Sequence, residues 1–192
     1  MERVNKTHNF SAILRNCDAV GVLEAHAVLP DRQVPVHHDT SGGAGKWVRV
    51  HTHPSGPEAV LNLQAQGFRV LAAHGTREAV NYRDQDYTSP VALLVGAELD
   101  GVGEEALTAA DGHVAIPLEG MVRSLNVSVA TALLLYEARR QREDAGMYRA
   151  SRLPPERFHA LLFEWCHPER ARQYRERGEP YPGLGPEGQI LE

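Results

Sequence analysis

The sequence predicts an α/β fold, a parallel sheet with helices on both faces, and three observations lead to it. Apolar, β-branched runs of strand length alternate along the chain with helical stretches. Glycine or proline punctuates most junctions between them. A length of 192 residues is enough for one domain with a buried core and a small appendage.

The first helix is expected from Asn9, read as its N-cap, to about Ala19, with Gly21 ending it. On that helix Arg15 follows Ser11 by one turn and lies away from Leu14 and Cys17. A strand over residues 25–29 precedes a Pro-, His- and Gly-rich loop over residues 30–46. Residues 47–51 alternate as a strand, and residues 57–67 form a helix closed by Gly67. Residues 68–74 and 90–96 are apolar strands. A glycine-rich acidic loop, a second short strand and a Ser124-Leu125-Asn126 turn follow. That turn opens a long helix to about Ala145, with Val129, Leu133 and Tyr136 expected to pack inward and Gly146 as its stop. The texture then changes. Pro154-Pro155 opens a helix with Phe158, Leu161, Leu162 and Trp165 on one apolar face, Pro168 opens a further turn or two, and the end from Gly178 reads as extended. The expected division is residues 1–149 and an appendage, 150–192.

A formal net charge of −5 does not mark the whole chain as a nucleic-acid binder. Arg139, Arg140 and Arg142 nevertheless cluster, and read either as a solvated helix face or as phosphate contacts. Cys17 and Cys166 are lone thiols, and no apolar run reaches spanning length or precedes the first helix as a targeting segment. A cytoplasmic protein with no membrane partner is expected. Several tempting patterns carry little. Ser41 to Lys46 lacks the leading glycine and following hydroxyl of a phosphate loop, because Thr40 and Trp47 stand there. Gly101-Val-Gly103-x-x-Ala106 imitates a dinucleotide fingerprint but stands alone. His37, His38, Asp39, His51 and His53 lack ligand spacing and read as surface loop, so no metal is expected.

Two loops do look built for a ligand. Glycines around Glu98 let backbone approach a small molecule closely, since glycine adds no Cβ. Ser124 and Asn126 sit at a helix N-terminus, where free N–H groups favour electron-rich partners.

These loops also carry a resemblance. GAELDG followed by DGHVAIPLEGMVRSLNVSVA is similar to the paired C-terminal motifs of the SpoU branch of the SPOUT RNA methyltransferases. Residues 8–22, with an Asn-x-x-Ala-Ile-x-Arg pattern, resemble that family's first motif. TSGGAGKWV and YEARRQREDAGMY resemble the subfamily that methylates the 2′-hydroxyl of guanosine 18 in tRNA.

The resemblance implies a SPOUT fold with a deep C-terminal trefoil knot, a homodimer formed through the knot region, S-adenosyl-L-methionine as methyl donor and tRNA as partner. It places catalysis on Arg15, Asn9, Glu98, Ser124 and Asn126. It places the donor at Ala73, Gly96, Gly101, Ile116, Leu118, Leu125 and Asn126, with Arg15 of one subunit completing the other's pocket. RNA contacts are expected from Arg15, Lys46, Arg139 and Arg140. Ribosomal RNA, or a module that binds without turnover, are the alternatives. The family's basic N-terminal extension is not found in these residues, which start eight positions before Asn9.

Overall fold

Strands Glu24–Val28 (β1) and Arg49–His53 (β2) pair in parallel, with His26 opposite His51. Four further strands form a second parallel sheet. They are Arg69–Ala73 (β3), Val80–Asn81 (β4), Val91–Leu94 (β5) and Gly112–Ala115 (β6), in the order β4-β6-β3-β5. Residues 1–3 stitch the two sheets together. Glu2 N donates to Val95 O at 2.8 Å, Arg3 N donates to Val28 O at 3.1 Å, and Val28 N donates to Met1 O at 2.9 Å. The structure, a computed structural model, describes residues 1–4, 6–29, 44–97 and 101–191. It divides into two compact units, Met1–Gly146 and Met147–Glu192.

Parallel neighbours need crossover connections, and the described residues of the first unit supply four α-helices: Thr7–Ala19 (α1), Gly56–Ala65 (α2), Glu104–Ala109 (α3) and Val127–Asp144 (α4). Helix α1 buries Phe10, Ile13, Leu14 and Cys17, an i, i+3, i+4, i+7 stripe, against β1. It ends where Gly21 adopts a φ of +77°, as expected. Helix α2 starts at Ser55, whose hydroxyl accepts from Glu58 N at 3.3 Å, with Pro57 in the first turn.

Strand β3 is the centre of the core. Val70 and Ala72 face one cluster with Val60, Leu94 and Ala106; Leu71 faces another with Tyr87, Val114 and Leu134. Both faces are therefore buried, which is why residues 70–72 read as one apolar run rather than an alternation. Among the described residues, one carboxylate side chain enters the interior. Glu2 is 3% exposed, and its Oε2 accepts from Gly103 N at 2.8 Å, satisfying a free amide at the start of α3.

Two sequence expectations about the first unit do not hold. Asn9 does not cap α1. The helix begins at Thr7, and Asn9 lies buried in its first turn, because the amide finds a tertiary partner that outweighs its capping tendency. On α4, Val129, Leu133 and Tyr136 are not inward but 49%, 38% and 50% exposed; Val127, Thr131 and Leu134 face the core instead. The first half of this helix is apolar on two sides, so periodicity alone could not choose the inner face.

In the second unit, helix Pro155–Cys166 (α5) buries Phe163, while Phe158, Leu162 and Trp165 of the expected face stay partly exposed. Phe163 stacks on Tyr181 with ring centroids 4.6 Å apart and meets Tyr174 edge-on at 5.8 Å. Helix Pro168–Arg177 (α6) runs ten residues, longer than the expected turn or two, to a left-handed Gly178. The tail beyond closes on itself through an antiparallel bridge between Leu184 and Ile190.

Candidate active site

Strand β3 lies between β6 and β5, so three adjacent parallel strands end side by side: β3 at Ala73, β5 just before Gly96, and β6 just before Ile116. In open parallel sheets the crevice outside the carboxyl ends of the strands is where ligands bind. His74 N donates to Val114 O at 3.1 Å and keeps the β3 and β6 ends together as they leave the sheet.

The turn after β5 is tight. Ala97 bridges Gly101, with Gly101 N donating to Ala97 O at 2.9 Å. A Cβ on Gly96 would overlap the Gly101 carbonyl group and the Val102 nitrogen, so that position admits no side chain. Gly101 adopts a φ of +67° and faces His74 of the neighbouring strand end. Glu98 falls outside the described residues, as do residues 30–43 with His37, His38, Asp39 and the first half of the glycine-rich SGGAGK segment.

The third segment runs from Ile116 to Asn126. Ile116 and Leu125 are half-buried, Leu118 and Ser124 are exposed, and Met121 is completely so. Asn126 ends it with both parts of its amide engaged. Its Oδ1 accepts from Ser128 N at 2.8 Å and Ser128 Oγ at 2.6 Å, capping α4, and its Nδ2 donates to Asn9 Oδ1 at 3.1 Å. Asn16 repeats the connection one face further along, donating to Ser128 O at 2.8 Å. The start of α1 is thus held against the start of α4.

Arg15 extends from this clamped helix into solvent, with no hydrogen bond or ion pair among the described residues. One turn before it Ser11 is buried, and Cys17 is buried beside Phe10 and Leu14, where desolvation pushes its thiol up to about 11. That thiol is not a nucleophile at neutral pH. A rigid helix carrying one unpartnered guanidinium is well suited to receive an anionic group.

The other expected RNA contacts differ. Lys46 is exposed at the end of a short 3-10 turn, Ala44–Lys46. Arg139 pairs with Glu143 at 3.3 Å, and Arg140 pairs with Glu137 at 2.7 Å and Asp144 at 2.8 Å, all along α4. Arg142 supports the fold, donating to Tyr87 O at 2.8 Å.

Residues 1–136 match the SpoU rRNA Methylase family, and residues 140–192 match the SpoU, rRNA methylase, C-terminal family. This chain belongs to the SpoU methylase family. Among its relatives is the tRNA (guanosine(18)-2'-O)-methyltransferase of Thermus thermophilus, 54% identical over 86% of this chain and 85% of that one. The enzyme of the same name in Escherichia coli strain K12 is 47% identical over 99% of this chain and 84% of its own. The fold of this SpoU methylase is also that of a solved relative, the A. aeolicus TrmH/SpoU tRNA modifying enzyme. The TM-score is 0.81 at 41% identity, covering 85% of this chain and 84% of that one.

The α/β fold with parallel strands expected from the sequence is the one found, its strands divided between two sheets where one was expected. The strand-end loops expected to hold the donor do lie on three adjacent strands, and Asn9 meets Asn126. Sequence reading missed Glu2 and the grouping of His26 with His51, since neither leaves a local spacing pattern.

Proposed function

We propose that this chain transfers a methyl group from S-adenosyl-L-methionine to the ribose 2′-hydroxyl of guanosine 18 in tRNA. What carries this is the match to the Escherichia coli tRNA (guanosine(18)-2'-O)-methyltransferase along 99% of the chain. A relative solved with AdoMet bound, AviRb from Streptomyces viridochromogenes (28% identical, TM-score 0.63), supports the choice of donor. The donor supplies a methyl on a sulfonium that departs as a neutral thioether. The crevice residues suit such a molecule: Gly96 and Gly101 clear backbone of side chains, while Ala73, Ile116, Leu118 and Leu125 offer apolar surface beside Asn126.

The chain's own contribution is alignment and electrostatics. Holding donor and hydroxyl in line removes up to ~7–11 kcal/mol of barrier. Arg15 stays charged, because a guanidinium does not lose its proton in a protein. It stabilises the developing alkoxide and grips the adjacent phosphate in its fork, while the hydroxyl proton leaves to phosphate or water. Asn9 and Asn126 position α1 and the donor loop against each other, and Ser124 and Glu98 order the loops on either side.

The same reading makes the enzyme a homodimer threaded as a deep trefoil knot, with Arg15 completing the partner's pocket. Val129, Leu133, Tyr136, Met121 and Val122 leave apolar surface in solvent that a second copy would cover. Lys46, Arg139 and Arg140 would add phosphate contacts. Among the described residues no helix is long and apolar enough to cross a membrane, and the cytoplasm, where tRNA is found, is the proposed location.

The test is methyl transfer from labelled S-adenosyl-L-methionine to a tRNA transcript, to the same transcript with guanosine 18 replaced, and to ribosomal RNA. Label in the first alone supports the proposal. Label in both moves the target elsewhere in tRNA, and label only in ribosomal RNA overturns the substrate.

A further inference from the structure

The histidines of β1 and β2 form a cluster that methyl transfer does not use. Parallel pairing sets His26 opposite His51 and Val28 opposite His53, and alternate residues of a strand share a face. Glu24, His26, His51 and His53 therefore gather on one side of the two strands. The His26 ring lies between the other two, with centroids 4.9 Å from His51 and 5.1 Å from His53.

We propose that Glu24, His26 and His51 form a binding site for one borderline divalent transition-metal ion, of the zinc class, that clips β2 to β1. One ligand atom from each of the three lies within 4.8 Å of the others. His51 Nε2 is buried with no hydrogen-bond partner among the described residues, an arrangement that costs free energy unless something else fills it. It stands 3.6 Å from Glu24 Oε2. That is too long for a hydrogen bond. It is the spacing of two ligands sharing a tetrahedral ion, about 3.3–3.6 Å for bonds of about 2.0–2.2 Å.

The outer contacts agree. His26 Nδ1 and His53 Nε2 are 2.8 Å apart, so His53 orients the His26 ring as a supporting group does in metal sites. Two imidazoles and one carboxylate favour zinc, cobalt or nickel over magnesium or calcium, which prefer oxygen alone.

The experiment is to strip the untagged full chain with a chelator and titrate it with Co²⁺ and then Zn²⁺, following the visible cobalt spectrum and metal content. One ion per chain is expected, with cobalt displaced by zinc and not by Mg²⁺. His51→Ala and Glu24→Gln should each weaken affinity at least tenfold, with circular dichroism unchanged because both side chains are partly exposed. A chain carrying His37→Ala and His38→Ala should keep the ion. No binding, binding untouched by His51→Ala, or binding lost only with His37 and His38 would each overturn the proposal.

Discussion

Asn126 Nδ2 donates to Asn9 Oδ1 at 3.1 Å, and through that bond the first turn of α1 is tied to the loop that opens α4. The other end of the same amide caps α4 through Ser128. The two jobs can be separated. Asn126→Asp keeps the capping oxygen and loses the donor, whereas Asn126→Ala loses both. We expect Asn126→Asp to melt near the parent, and Asn126→Ala to lose about 1 kcal/mol more. Methyl transfer should fall more than tenfold in both, and in Asn9→Ala. The Asn9→Ala, Asn126→Ala pair should be non-additive in activity. Thermal unfolding and initial rates on tRNA check each arm; strict additivity would sink the tie.

Arg15 makes no polar contact among the described residues, so its removal should leave the fold alone. Arg15→Ala should unfold within about 0.5 kcal/mol of the parent. Its kcat should drop roughly 10²–10³-fold, the usual loss when one donor to a developing oxyanion is removed. Lysine keeps the charge but not the planar fork, and should recover no more than about tenfold of that loss. An Arg15→Lys enzyme close to full rate would argue against any role for guanidinium geometry.

Gly96 has backbone where a side chain would go: a methyl there overlaps Gly101 and Val102. Gly96→Ala must open the turn after β5. S-adenosyl-L-methionine affinity, read by calorimetry, should weaken more than tenfold, and stability should drop by about 1–3 kcal/mol, as overpacking does. Gly120, with open space around its Cα, is the control for stability: alanine there should leave the melting point unchanged.

The order of strands and helices was legible because burial imposes its period on the sequence, as in the Phe10, Ile13, Leu14, Cys17 stripe of α1 and the continuous run of β3. What was not legible depends on tertiary partners. Asn9 looks like a cap from its neighbours alone, and only the approach of Asn126 makes it a clamp. His26 and His51 stand far apart in the chain, and the parallel register alone puts them face to face. The inner side of α4 was ambiguous because the helix has two apolar sides. Glycine spacing marked the strand-end loops, since close backbone approach needs glycine itself.

The two cysteines should behave differently. Cys166 is exposed; Cys17 is buried, and desolvation raises its pKa to about 11. A thiol-specific reagent should label one cysteine quickly in the native chain and both after denaturation. The raised value also has a consequence for stability. Above the ordinary thiol range, near pH 9, the unfolded chain releases the proton while the folded one holds it. Folding therefore loses up to roughly 2–3 kcal/mol between about pH 9 and 11. Cys17→Ala should flatten that part of the urea-midpoint profile, and a profile unchanged by the substitution would contradict the burial argument.

Val129, Leu133 and Tyr136 lie at i, i+4 and i+7 of α4 and are all well exposed, a stripe as apolar as the one α1 buries. An apolar stripe of this kind on an exposed helix face marks a contact surface. If a second copy covers it, as the proposed homodimer requires, Leu133→Glu places a charge at the centre of the interface without touching the core residue Leu134. Circular dichroism should be unchanged, while sedimentation should move from dimer to monomer at micromolar concentration. Activity should fall with dimerisation, because Arg15 would no longer reach the partner's pocket, and S-adenosyl-L-methionine binding should weaken less than methyl transfer. A Leu133→Glu chain that remained dimeric would place the interface elsewhere and leave this face for another partner.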